Sequence, residues 1–184
     1  MNISELKNSS LLKQWDQPGH WLSSFPSLNH WREDFGHLQY AREFLEHCEK
    51  PLHVYLHIPF CKKLCHYCIC NIVVTNDRSK IQFFLDHLLK EIDNLKAFYE
   101  RHGKTSRIEE IHFGGGTPSH LDRLQFANLC GHIRSMAYDI SEWAVEVDPR
   151  TVNEADLLFY ASEGVTRISF GIQDFDPGVQ KAIN

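Results

Sequence analysis

The clearest apolar rhythm runs over residues 80–101, where Ile81, Phe84, Leu88, Ile92, Leu95 and Phe98 recur every three or four positions. That spacing predicts an amphipathic helix. Residues 121–136 repeat the pattern, with Leu121, Leu124, Leu129 and Ile133 on one side. Around these stretches the apolar residues alternate with polar ones, which predicts strands over 52–58, 107–113, 142–147 and 166–172. Thr151-Val152-Asn153-Glu154 reads as a capping box that opens a helix ending near Gly164, and 177–184 reads as the opening of another. Strand and helix in alternation argue for a parallel sheet with helices outside it. Residues 1–50 are irregular and aromatic-rich, with Trp15, Trp21, Phe25 and Trp31, and are broken by Pro18-Gly19 and Pro26. A short helix near 37–47 is expected there, from Leu38, Ala41, Phe44 and Leu45.

Each strand carries one apolar and one polar face. Val54, Leu56 and Ile58 oppose Tyr55 and His57; Ile111 and Phe113 oppose His112. Trp143, Val145 and Val147 oppose Ala144, Glu146 and Asp148, and Ile168, Phe170 and Ile172 oppose Arg167, Ser169 and Gln173. A doubly wound sheet buries both faces and reads as continuous apolar runs. The alternation instead suits a partial (β/α) barrel of the TIM type, truncated at about four parallel strands, whose polar faces line a lumen. A two-layer sheet with its polar face in water is the alternative. Ligands of parallel βα folds sit at the carboxyl ends of the strands. The cysteine window, Gly114-Gly115-Gly116 and Asp148-Pro149-Arg150 all follow strands, so they are expected on one rim.

Composition narrows the class. The 184 residues are 42% hydrophobic, which is enough for one domain with a sizeable core. The net charge of −5 leaves no basic surplus for phosphate contacts, so no nucleic-acid partner is expected. No apolar run is long enough to span a membrane, and Met1-Asn2-Ile3-Ser4-Glu5 lacks a secretory pattern, so a cytoplasmic protein is expected.

Four of the six cysteines, Cys61, Cys65, Cys68 and Cys70, fall in one ten-residue window. Clustered thiols without a secretory signal point to metal rather than disulfides. A C-x3-C-x2-C loop can bring three thiolates onto one iron–sulfur cube and leave one iron open. Zinc would want four ligands, the fourth from Cys70 or His66. Cys48 and Cys130 read as small buried hydrophobes. The glycine run would let backbone N–H groups approach a ligand, or simply form a tight turn; no Gly-Lys-Ser/Thr follows, so it is not a phosphate loop. Glu146 can accept from an amine or ribose hydroxyl, or pair with Arg150 or Arg167. His57 reads as an orienting partner near the cluster, and Lys62 and Lys63 as solvated cations.

Tyr55-Leu56-His57-Ile58-Pro59-Phe60-Cys61-x3-Cys65-x-Tyr67-Cys68 resembles the signature of radical S-adenosylmethionine (SAM) enzymes. With Cys70 it resembles more narrowly the oxygen-independent coproporphyrinogen III oxidases of haem biosynthesis, in their N-terminal part. Gly114-Gly115-Gly116-Thr117-Pro118, Glu146-Val147-Asp148-Pro149-Arg150 and residues 169–175 match in the same order. The resemblance implies that Cys61, Cys65 and Cys68 bind a [4Fe-4S] cluster and that Cys70 does not. It implies SAM on the open iron, cleaved by one electron to methionine and a 5′-deoxyadenosyl radical, with a second SAM beside it. Tyr55, Gly115 and Glu146 match positions touching the first SAM; Tyr67, Gly116, Thr117 and Gln173 match those touching the second. The radical would take hydrogen from a propionate of a tetrapyrrole substrate, and loss of carbon dioxide would leave a vinyl group. An electron donor is implied but not identified by any residue.

The chain departs from the subgroup in three places. Its usual Arg-Pro-Gly-Pro-Arg-Tyr-Thr-Ser-Tyr-Pro reads here Gln17-Pro18-Gly19-His20-Trp21-Leu22-Ser23-Ser24-Phe25-Pro26, without the arginines that would clamp propionates. Ile69 stands where glycine is usual and is expected to crowd the second-SAM side. The remaining barrel strands and C-terminal domain are absent. The expected organisation is therefore a substrate-side segment over 1–50 and the first half of a barrel over 51–184, inactive by itself, with the absent C-terminal portion as a further partner. A related radical SAM methyltransferase acting on haem or another tetrapyrrole, a non-catalytic iron- or haem-binding remnant, and a zinc-binding module are the alternatives.

Overall fold

Four strands, β1 (Leu52–Ile58), β4 (Ile108–Gly115), β5 (Glu142–Val147) and β6 (Arg167–Phe170), form one parallel sheet in the order β1-β4-β5-β6. Two further strands of two residues each, β2 (Phe60–Cys61) and β3 (Val73–Val74), pair in parallel beside it. The helices are α1 (His37–Glu46), α2 (Arg78–Arg101), α3 (Arg123–Met136), α4 (Glu154–Ser162) and α5 (Pro177–Ile183). This computed structural model describes residues 32, 34–105, 107–136 and 140–183. Trp15, Trp21, Phe25, Trp31 and the segment 17–26 lie outside the described residues. The chain divides into two units, Met1–Phe44 and Leu45–Asn184, and the sheet belongs wholly to the second. Among the described residues, no helix is long and apolar enough to cross a membrane.

Each new strand of the sheet adds beside the last without a reversal of order. A doubly wound sheet must reverse, and right-handed crossovers to one side put the connecting helices α2, α3 and α4 on the same face. The core lies on that face. Leu56, Ile58, Ile111, Phe113, Trp143, Val145 and Val147 pack with Ile81, Leu85 and Ile92 of α2, Phe126, Leu129 and Ile133 of α3, and Tyr160 of α4 in one cluster. Phe113 stacks on Trp143 and meets Phe126 at 5.0 Å between ring centroids. The period-two alternation therefore sorts β1, β4 and β5 largely as expected. Cys130 and Cys48 are both buried, and burial pushes the Cys130 thiol up to about 12, which leaves it inert.

The boundaries differ from the sequence pattern where side-chain chemistry decides them. Asp77 caps α2 by accepting from the N–H groups of Ser79 and Lys80, so the helix starts before the first apolar repeat. The capping box of α4 is Asn153 with Asp156, two residues later than Thr151 suggests, because the Asp156 carboxylate returns to the Asn153 N–H at 3.1 Å. β6 stops at Phe170, and Phe170 and Ile172 are exposed rather than packed under helices. Gly114 and Gly115 are the last residues of β4 rather than a loop after it.

Candidate functional site

The carboxyl ends of β4, β5 and β6 and the cysteine loop open onto one cavity of about 570 Å³. Cys61, Cys65, Cys68, Tyr67, Gly115, Gly116, Thr117, Glu146 and Gln173 all line it. Tyr55 does not, although it stands on the same sheet face, with its ring stacked on His112 at 5.7 Å. Ile69 is exposed and is not part of the lining. Cys70 lines the cavity and is exposed.

The cysteine loop, residues 61–74, is closed at its base. Phe60 and Cys61 pair with Val73 and Val74, the Val73 N–H donates to Pro59 O at 2.7 Å, and the Thr75 N–H donates to Cys61 O at 3.1 Å. Thr75 O in turn accepts from Nε2 of the buried His120 at 2.8 Å. At its tip the loop is tied to the end of α5, because the His66 N–H and Nδ1 donate to Ile183 O and Ala182 O at 3.1 and 3.0 Å. His57 holds the exit: its Nε2–H donates to Asn71 O at 2.8 Å. Its Nδ1 lies 3.2 Å from the Tyr55 hydroxyl and shares a hydrogen bond with it. The expected orienting role of His57 is thus visible in its partners.

The glycine run is demanded first by the protein's own packing. Gly115 has φ +108°, and a Cβ there would stand 2.7 Å from the His57 ring. A Cβ on Gly116 would come within 2.8–2.9 Å of the backbone of Pro59 and Phe60. The N–H groups of Gly116 and Thr117 donate to Ile58 O and Phe60 O at 2.8 and 2.9 Å, so those two are already engaged.

The polar partners are not those expected. Glu146 pairs with neither arginine: it accepts from His112 Nε2 at 3.0 Å. Arg167 instead bridges Glu110 and Glu142. Arg150 forks onto Asp148, with Nε and Nη2 at 2.9 and 2.8 Å, and its Nη2 also donates to Cys65 Sγ at 3.7 Å. Burial pushes the Asp148 carboxyl up, but the Arg150 guanidinium and N–H outweigh it and leave the group below the usual carboxylate range. Burial pushes the Cys61 thiol up, opposed by the Thr117 hydroxyl that donates to it at 3.3 Å and reinforced by Cys68 and Cys65. Burial likewise raises the Cys70 thiol, with Cys68 adding to it. His112, Thr117 as a sulfur donor and Arg150 were not assigned these contacts by sequence reasoning. Only the strand alternation, which puts His112 and Glu146 on one face, carried a signal for any of them.

The donor set fits a cluster. Cys61, Cys65 and Cys68 put three thiols on the wall of one cavity. A cube takes thiolates at separate corners, from a loop that lines an open cavity. Cys61, Cys65 and Cys68 would be those thiolates.

The model of the Radical SAM superfamily matches residues 55–184. The chain is 38% identical over 138 residues to the oxygen-independent coproporphyrinogen III oxidase of Pseudomonas aeruginosa, covering 73% of this chain and 29% of that protein. It is 36% identical over 179 residues to the enzyme of the same name from Escherichia coli, covering 95% and 38%. A solved structure of the Escherichia coli coproporphyrinogen III oxidase, described as a radical SAM enzyme, superposes with a TM-score of 0.79 at 35% identity, over 89% of this chain and 37% of that one. The chain thus spans 29–38% of the length of the curated relatives it matches.

Proposed function

The chain belongs to the radical SAM superfamily, whose members carry a [4Fe-4S] cluster and SAM, and from that premise we propose that it supplies the cluster-and-SAM half of an oxygen-independent coproporphyrinogen III oxidase. The reaction is oxidative decarboxylation of two propionates of coproporphyrinogen III to vinyl groups, giving protoporphyrinogen IX. The observation that carries this reading is the convergence of Cys61, Cys65 and Cys68 with Gly115, Gly116, Thr117, Glu146 and Gln173 on one cavity. When bound, the cluster supplies the electron that splits SAM into methionine and the radical that takes hydrogen from a propionate.

The chain's own residues bind and orient. Cys61, Cys65 and Cys68 hold the cluster, and Cys70 stays outside its ligand set. Glu146, steadied by His112 through one carboxylate oxygen, has the other to accept from the amine or ribose hydroxyl of a first SAM. Tyr55 and Gly115 complete that side; Tyr67, Gly116, Thr117 and Gln173 form the side of a second SAM. Lys62, Lys63 and Arg150 put positive charge on the rim, suited to an anionic cluster and a substrate bearing carboxylates. The partners are then a tetrapyrrole and an electron donor.

The outer edge of β6 has no partner strand among the described residues, and Tyr55 on the polar face of the sheet is exposed. A radical there would be quenched by water. The experiment is an anaerobic assay with SAM, reductant and coproporphyrinogen III, read by product mass. It is run on the 184 residues alone and with the C-terminal portion of the Escherichia coli relative supplied as a second chain. We expect no turnover alone, and loss of carbon dioxide and two hydrogens per propionate when supplemented. Gain of a methyl group would replace this reading with the methyltransferase. Vinyl product from the 184 residues alone would overturn the need for further cover.

A further inference from the structure

Arg150 does more than balance Asp148. The turn that carries it is pinned on several sides. Its N–H donates to Asp148 Oδ1 at 2.9 Å, and Asp148 O accepts from both the Thr151 N–H and hydroxyl at 2.9 Å. Ser119, from the 3-10 turn that follows the glycine run, shares a hydrogen bond with that hydroxyl at 2.9 Å. The bidentate fork onto Asp148 then fixes the plane of the guanidinium. Held in this way, Nη2 reaches Cys65 Sγ at 3.7 Å, although Cys65 lies on a different loop, 85 positions earlier in the chain.

We propose that Arg150 is a positioning residue that raises the reduction potential of the cluster through a charge-assisted hydrogen bond to Cys65, an inference that rests on the cluster reading above. Reduction adds an electron whose density spreads onto the ligand sulfurs. A donor aimed at one of those sulfurs stabilises the reduced form more than the oxidised one. Asp148 offsets the long-range field of the guanidinium but not its directional N–H, because the fork uses Asp148 to aim it. Thr117, which donates to Cys61 at 3.3 Å, is the neutral counterpart on another ligand.

The test is a redox titration of the anaerobically reconstituted chain, followed by electron paramagnetic resonance, with iron and sulfide measured on the same samples. Arg150→Gln should load as the parent does, while its equilibrium constant for reduction falls about tenfold, or about 59 mV more negative for one electron. Arg150→Lys keeps the charge without the fork and should fall between the two. A loaded Arg150→Gln cluster that titrates with the parent overturns the proposal. Failure of both variants to load overturns it as well, because Arg150 would then be holding the loop rather than tuning the cluster. Failure of the parent itself to load an iron–sulfur cluster overturns the cluster reading, and the potentials are then not compared.

Discussion

Cys61→Ala should abolish cluster binding: the parent reconstitutes with about four irons and four sulfides per chain, and the variant with close to none. Cys61 is the best fixed of the three thiols. It sits in β2, paired with β3, at 8% exposure, and its carbonyl accepts from Thr75. The family signature gives no ligand role to Cys70, which is exposed beside the Asn71 carbonyl that His57 holds. Cys70→Ala is therefore expected to keep nearly all of its iron. Parallel iron and sulfide analyses of the two variants check both halves. Iron retained in Cys61→Ala, or lost in Cys70→Ala, would reassign the ligands.

Gly116→Ala should cost about 1–3 kcal/mol in stability and lower the thermal midpoint by roughly 2–12 °C. The new methyl would press on backbone atoms of Pro59 and Phe60, which cannot rotate away as a side chain can. Those residues lead directly into Cys61, so the damage should reach the cluster loop. Gly131→Ala is the internal control. Gly131 lies within α3, with nothing inside 4 Å of an added Cβ. There alanine should stabilise by about 0.5–1 kcal/mol. Opposite shifts in two thermal melts support the packing account, and a Gly116→Ala melt equal to the parent contradicts it.

Strand periodicity and local motif spacing made much of this site readable in advance. Alternation along β1, β4 and β5 sorts core from cavity because one face must be buried against helices. Ala144 is an exception: it falls on the polar face by register beside His112, yet it is fully buried. β6 failed for a different reason. Its last residue Phe170, and Ile172 just beyond it, keep the alternation but are exposed. The cysteine window and glycine run were legible because their ligating and steric demands are local. Partner choice was not. Glu146 takes His112 rather than Arg150 or Arg167, and each arginine finds a carboxylate held closer by its own turn or by strand register. The role of the glycines was only half legible. The spacing suggested room for a ligand, whereas a Cβ at Gly115 or Gly116 would first strike His57, Pro59 or Phe60. A Gly115→Val variant would therefore disturb the turn itself and could not isolate SAM binding.

The central claim, that Cys61, Cys65 and Cys68 hold a cube with one iron left for SAM, is tested most directly by the Mössbauer spectrum of the anaerobically reconstituted chain with and without SAM. Three thiolates on four irons predict one site distinct from the other three, and that site alone should shift when SAM is added. Four equivalent irons unmoved by SAM, or stoichiometric zinc without sulfide in the anaerobically purified protein, would contradict the account.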